Sequence, residues 1–216
     1  MLSTTSSQQI SEKIAAYLLE IKAIKLSAND PFTWASGWKS PIYCDNRMSL
    51  SYPGVRTYIK EALCKVISEK YPDAEAIAGV ATAGIPQGAL VAETMGLPFV
   101  YVRSKPKGHG MENMIEGKVT PGQKVVVIED LISTGGSSLK ASQDLINAEF
   151  EVLGMAAIFT YGFPLADENF KKANIDLVTL SDYEAMLPIA VKEGYLTEDQ
   201  VQSLQQWREE PSEWKS

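Results

Sequence analysis

Apolar residues recur at positions 10, 14, 17, 18, 21 and 24 with polar residues between them. That is the spacing of one face of a helix, so Ile10 to Ile24 is predicted to be amphipathic and helical. Residues 29–47, NDPFTWASGWKSPIYCDNR, break the period with aromatics, Pro and Gly, and read as a short strand or two with a loop. Pro53 to Tyr71 returns to helical spacing, with a proline in the first turn, where no N–H is needed. Beyond it, short apolar runs alternate with longer amphipathic ones. Strands are predicted at 76–81, 98–102, 124–128, 152–160 and 175–180, a turn at TAGIP (82–86), and helices at 87–95, 137–149 and 166–173. Residues 103–117 have no apolar period. Ser181-Asp-Tyr-Glu184 and Thr197-Glu-Asp-Gln200 fit capping boxes that open C-terminal helices.

Strands and helices in alternation, with the strands apolar on both sides, predict an α/β fold built on a parallel sheet covered on both faces. The segment before residue 50 is then an added flap. No repeat or low-complexity linker divides the 216 residues, which suit one domain in three parts: an N-terminal helix and flap over about 1–50, an α/β core over about 51–180, and C-terminal helices over about 181–216.

Composition narrows the partners. The net charge is −7, a field that repels nucleic acid and anionic membrane and makes any local basic cluster informative. Cys44 and Cys64 have neither metal-site spacing nor the number for a disulfide framework, and read as reduced thiols of a cytoplasmic protein. MLSTTSSQQ lacks the basic and apolar regions of a signal peptide, and no apolar run approaches the ~18 residues of a membrane span.

Candidate chemistry concentrates in VVVIEDLISTGG, residues 125–136, where an apolar strand runs into adjacent acids, Glu129 and Asp130, and then a hydroxyl- and glycine-rich turn before a helix. In an open parallel sheet, ligands bind beyond the carboxyl ends of the strands. Two carboxylates there can accept hydrogen bonds from a vicinal diol such as a ribose, or hold a divalent cation. The turn and the helix N-terminus offer amides to a phosphate. The GxxxxGK[ST] and GxGxxG phosphate loops are absent. A plain strand, polar turn and capped helix would also use such residues, though not the paired acids.

The string closely resembles the phosphoribosyl-diphosphate signature of the type I phosphoribosyltransferases. The resemblance runs from about residue 10 to residue 190 and implies a Rossmann-like parallel-sheet core with a small N-terminal hood. It implies that Glu129 and Asp130 hold the ribose hydroxyls, and that Leu131, Ile132, Ser133, Thr134, Gly135, Gly136 and Ser137 hold the 5-phosphate. GVATAGIP, residues 79–86, resembles the family's pyrophosphate loop, with Thr82, Ala83 and Gly84 offering backbone N–H groups.

The basic loop RSKPKGHGMENMIEG, residues 103–117, sharpens this. Arg103, Lys105 and Lys107 alternate in an acidic chain, followed by His109, the only histidine, among glycines. Alone, such a run reads as a solvated surface loop. Its R-x-x-x-K-x-H-G pattern, carried by Arg103, Lys107, His109 and Gly110, resembles the mobile catalytic loop of the orotate phosphoribosyltransferases. By that resemblance Arg103, Lys107, His109 and Asp130 are catalytic, Arg103, Lys107 and His109 also bind the diphosphate, and the loop is shared across a homodimer. FTWASGWKSPIYCDNR, residues 32–47, resembles the hood over the base. Relatives with a lysine at the position of Ala35 and an arginine after strand 152–160 differ from this chain, so backbone amides, Ser133 or Lys39 must contact the orotate carboxylate; Ser133 is carried as the orotate-binding residue. Trp34 and Tyr43 read as packing.

The implied activity transfers ribosyl phosphate from phosphoribosyl diphosphate to orotate, giving orotidine 5′-phosphate and pyrophosphate in UMP synthesis. Mg2+ would be held mainly by the substrate. Two rivals are a phosphoribosyltransferase for a purine or another base, which should lack the basic-loop pattern, and a non-catalytic phosphoribosyl-diphosphate sensor that binds nucleic acid, which should show a basic face.

Overall fold

The computed structural model describes residues 4–34, 37–105, 114–211 and 214. Helix α1 (Thr4–Glu20) ends before its apolar spacing does. Lys22 takes a positive φ of 58° and turns the chain, so Ile24 opens strand β1 (Ile24–Leu26) instead of closing the helix. β2 (Phe32–Thr33) and β3 (Lys39–Ser40) pair antiparallel, as do β1 and β4 (Ile42–Cys44). These two small ladders are the flap. A 3-10 helix at Asn46–Ser51, which the polar string NRMSLS does not announce, leads into α2 (Pro53–Lys70).

The core then alternates: β5 (Ala76–Val80), α3 (Gly84–Met95), β6 (Phe99–Val102), β7 (Ile115–Glu116), β8 (Lys124–Ile132), α4 (Gly136–Asn147), β9 (Glu151–Thr160), α5 (Pro164–Ala173) and β10 (Leu177–Asp182). Helices α6 (Tyr183–Lys192) and α7 (Glu198–Glu209) complete the described chain. Six strands form one sheet in the order β10-β9-β8-β5-β6-β7. All its neighbours are parallel except β7, which returns antiparallel beside β6. One face is covered by α1, α2, α3, α6 and α7 through side chains such as Leu18, Leu63, Val91, Met186 and Trp207. The other is covered by α4 and α5 through Ala141, Leu145, Ala166 and Phe170. The expected doubly covered parallel sheet is therefore present, and fully buried Val125, Val126, Val127 and Ile128 show why its strands read as unbroken apolar runs.

Element edges differ from the sequence reading where local chemistry overrides period. TAGIP is only partly a turn: α3 starts at Gly84, and Pro86 sits in its first turn, where an N–H is dispensable. The cap of α6 is Asp182, whose carboxylate accepts from the Ala185 N–H at 2.8 Å. Ser181 belongs to β10, and its hydroxyl donates to the Ser11 carbonyl of α1 at 2.9 Å, so the box expected at Ser181 does not form and the cap moves one residue on. The box at Thr197 forms, with Gln200 Oε1 accepting from the Thr197 N–H at 2.9 Å.

The most consequential edge is that of β8, which runs four residues past the predicted end. Its pairing with β5 stops at Ile128, while pairing with β9 continues through Leu131 and Ile132. Glu129 and Asp130 thus lie on a strand supported on one side only. The next strand in sequence after β5 goes to one side of it, β6, and β8 returns to the other. The gap between β5 and β8 is therefore the topological switch point, where ligands enter open α/β sheets.

Candidate active site

At that switch point the backbone of α3 lies close to β8. A Cβ on Gly84 would run into the Ile128 carbonyl oxygen and come within 3.5 Å of the Glu129 Cα, so only glycine permits the approach. This brings the start of α3 against the strand that carries the acidic pair. The N-cap of α3 is Ala83, which provides no side-chain cap. The peptide between Ala81 and Thr82 is cis.

Glu129 is 6% exposed. One carboxylate oxygen accepts from the Asp130 N–H at 3.0 Å and the other from the Ser138 hydroxyl at 2.9 Å. Burial is the main cause that pushes its pKa up to about 8, and the neighbouring Asp130 charge adds to it. Asp130 is raised too, chiefly by burial. The pair is therefore poised to hold a proton near neutral pH until something polar or positive replaces the lost water. Asn46 fixes the strand from the flap side, its amide donating to the Asp130 carbonyl at 2.6 Å. Cys44 in turn donates to the Asn46 Oδ1 at 3.3 Å, and Ser49 to the Asn46 carbonyl at 2.6 Å.

After Ile132 the chain turns through Ser133, Thr134 and Gly135, which has φ 79°. A Cβ on Gly135 would meet Phe170 at 2.6 Å. The turn is held by its oxygens: the Ile132 carbonyl accepts from the Tyr161 N–H at 3.1 Å and the Thr134 carbonyl from Asn169 at 3.0 Å. Among the described residues the N–H groups of Ser133, Thr134 and Gly135 have no protein partner, and α4 has no side-chain cap. Uncommitted amides at a helix N-terminus suit a phosphate.

A cavity of about 550 Å³ opens beside this turn, lined by Thr33, Trp34, Trp38, Tyr43, Cys44, Leu131, Ser133, Thr134 and Tyr161. Burial raises the Cys44 thiol and Tyr161 phenol well above their ordinary values, so both are neutral. Trp34 packs at 5.1 Å on Tyr161 and 5.6 Å on Trp207, and its indole donates to the Ile42 carbonyl at 3.2 Å. The expectation that Trp34 packs is met; Tyr43 is 40% exposed with its ring 5.8 Å from Phe32, and both form cavity wall.

Arg103 follows β6 at the same carboxyl edge, two strands from β8. Its N–H donates to the Met114 carbonyl at 2.7 Å and its guanidinium pairs with Glu116 at 3.1 Å, so the basic loop rises from a short β6–β7 stem. Lys107, His109 and Gly110 lie outside the described residues. The structure thus gathers Glu129, Asp130 and Leu131 through Ser137 at one edge and places Arg103 at the stem of its loop. Sequence reading missed Ser138, one place beyond the residues assigned; Asn46, visible only as a polar residue after a strand; and Trp207, which has no local signal. Among the described residues no group of three or more His, Cys, Asp or Glu assembles that could hold a metal.

Comparisons with known proteins identify the family and the fold. The phosphoribosyl transferase domain family matches residues 51–192. The chain is 60% identical to the orotate phosphoribosyltransferase of Porphyromonas gingivalis over 201 residues, covering 93% of this chain and 96% of that protein. In fold it is similar to the orotate phosphoribosyltransferase of Aeropyrum pernix, with a TM-score of 0.74 and 28% identity over 85% of this chain and 99% of that one. It is also similar to the UMP synthase of Leishmania donovani, with a TM-score of 0.76 and 27% identity over 91% of this chain; the match spans 42% of that longer protein.

Proposed function

Because this chain belongs to the phosphoribosyl transferase family, with relatives named orotate phosphoribosyltransferase at 60% identity over nearly their whole length, we propose that it transfers ribosyl phosphate from phosphoribosyl diphosphate to orotate. The products are orotidine 5′-phosphate and pyrophosphate, a step of UMP synthesis. The observation that carries the reading is the juxtaposition of a buried carboxylate pair, a turn with uncommitted amides and an aromatic cavity at one switch point.

In the proposed reaction the 5-phosphate sits on the amides and hydroxyls of Ser133 to Ser137. Glu129 and Asp130 accept hydrogen bonds from the ribose diol and stabilise positive charge as the anomeric bond loosens. Thr82 to Gly84 lie where the departing diphosphate would be. The base occupies the aromatic cavity, and its ring nitrogen attacks the opposite face of the sugar in an oxocarbenium-like transition state, with Ser133 beside it. Arg103, Lys107 and His109 neutralise pyrophosphate when the loop closes and excludes water. The 103–117 loop serves a neighbouring protomer in a homodimer.

A divalent cation fits the donor set, because Asp130 and Glu129 offer the hard oxygens that Mg2+ prefers and leave most of its ligands to substrate and water. When bound, Mg2+ would neutralise diphosphate charge. No described helix is long and apolar enough to cross a membrane. A cytoplasmic place and a single catalytic domain over residues 1–216, with hood, core and C-terminal helices, complete the proposal.

The test is an absorbance assay with phosphoribosyl diphosphate, Mg2+ and orotate, run against uracil, adenine and hypoxanthine. Turnover with orotate alone supports the reading, and turnover with a purine in its place refutes it. Lys107→Ala should lower kcat far more than it raises the KM for phosphoribosyl diphosphate, by roughly a hundredfold or more if its charge acts mainly in the transition state. An unchanged kcat would remove Lys107 from that role.

A further inference from the structure

Among the described residues, the cavity beside Ser133 is walled by indole, phenol, hydroxyl and thiol groups and Leu131, and by no charged side chain. Its proposed occupant is an anion: orotate is a pyrimidine bearing a carboxylate, and an ionised carboxylate leaves water at a steep cost unless a partner charge meets it. We propose that Lys39 supplies that charge and so sets the preference for a carboxylated base. The assignment rests on the orotate reading above.

Three observations place it. In the β2–β3 ladder Lys39 stands opposite Thr33, and its ammonium donates to the Thr33 hydroxyl at 2.8 Å; Thr33 is part of the cavity wall. The backbone of Lys39 is pinned from below, where the fully buried Trp207 donates its indole N–H to the Lys39 carbonyl at 3.0 Å. The strand is therefore anchored while the side chain remains exposed at the rim. Finally, among the described residues no carboxylate lies within 4.0 Å of the Lys39 ammonium. Arg47, by contrast, is committed to Asp45 through bonds of 2.6 and 2.9 Å. A lone hydroxyl is a neutral, replaceable partner. The flexible lysine stem lets the ammonium turn from it to an incoming carboxylate. Cys44 and Tyr161 on the wall are neutral, and the nearby carboxylate charges are Asp45, paired with Arg47, and Asp130 at the end of β8.

The experiment compares wild type, Lys39→Met, Lys39→Arg and, as a control, Lys25→Met. Lys25 stands opposite the wall residue Tyr43 in the other ladder. Steady-state rates are measured with orotate, uracil and phosphoribosyl diphosphate. Loss of a charge-assisted bond should raise the orotate KM of Lys39→Met roughly tenfold to a hundredfold. The KM for phosphoribosyl diphosphate should stay within about twofold, and the preference for orotate over uracil should fall by the same factor as orotate binding. Lys39→Arg should recover most of the loss, and the orotate KM should rise with salt in wild type but not in Lys39→Met. An unchanged orotate KM in Lys39→Met, an equal rise for both substrates, or the same loss in Lys25→Met overturns the assignment. Orotate turnover absent from wild type itself would overturn the functional reading and this assignment with it, whereas an active wild type beside an unaffected Lys39→Met overturns this assignment alone.

Discussion

Burial gives Glu129 its raised proton affinity, and Asp130 beside it raises that affinity further. Two consequences follow at the level of single residues. A carboxyl whose folded pKa, about 8, exceeds its unfolded value binds more protons folded than unfolded across the interval between them. Its stabilising protonation is complete below the unfolded pKa of about 4.3 and is lost as pH rises through the folded value. The ligand-free protein should therefore melt at progressively lower temperature from about pH 5 to pH 8, and Glu129→Gln should flatten that slope; thermal scans across the range decide it. The second consequence concerns binding. A sugar diol needs ionised acceptors, so phosphoribosyl diphosphate should release protons on binding near neutral pH, visible in calorimetry as a dependence on buffer ionisation heat. Asp130→Asn should abolish most of that release and weaken binding roughly tenfold or more. The pair itself was legible in the sequence, because adjacent acids at the end of an apolar strand have few other uses. Ser138 was not, since one hydroxyl among several in STGGSS looks like the next until the turn is folded.

Among elements, the turn into α4 depends on a residue that side chains resist. Gly135→Ala would meet both a left-handed backbone and the Phe170 ring, and should cost about 1–3 kcal/mol together with most phosphate affinity. Gly136→Ala next to it, where a Cβ meets nothing within 4 Å, should be close to neutral for folding; paired denaturation curves and binding titrations separate the two. Sequence period located nearly every long strand and helix here, because buried parallel strands and amphipathic helices have distinct apolar spacing. It failed at the short pieces. The β7 strand, two residues long, and the 3-10 helix at Asn46–Ser51 are set by what they pack on. The end of β8 was misplaced for a related reason: pattern marks where apolar residues stop, whereas pairing with β9 carries the strand on through its acids.

For the whole molecule, the long-range tie is Trp207, which joins α7 to the hood across 168 positions of sequence. It touches Trp34, Tyr161, Phe163 and Tyr183 within one buried aromatic cluster. No periodicity signals such a contact, and the packing of the C-terminal helices was the part of the fold that the sequence left blank. Trp207→Ala should cost about 3–5 kcal/mol in stability. Trp207→Phe should keep most of that while removing the indole donor to Lys39, raising the KM for orotate and leaving that for phosphoribosyl diphosphate nearly unchanged. Equal effects on both substrates would mean that the cluster serves stability alone.

The same tie orders events while the chain is being made. The strand end and turn proposed to hold the sugar phosphate, residues 129–137, leave the ribosome well before residue 207 does. Until that residue emerges, the aromatic wall of the chamber proposed for the acceptor lacks its rear brace. A message truncated ahead of α7 should therefore yield a product without the buried indole that ties the hood to the aromatic cluster, and one less stable by at least the loss expected for Trp207→Ala.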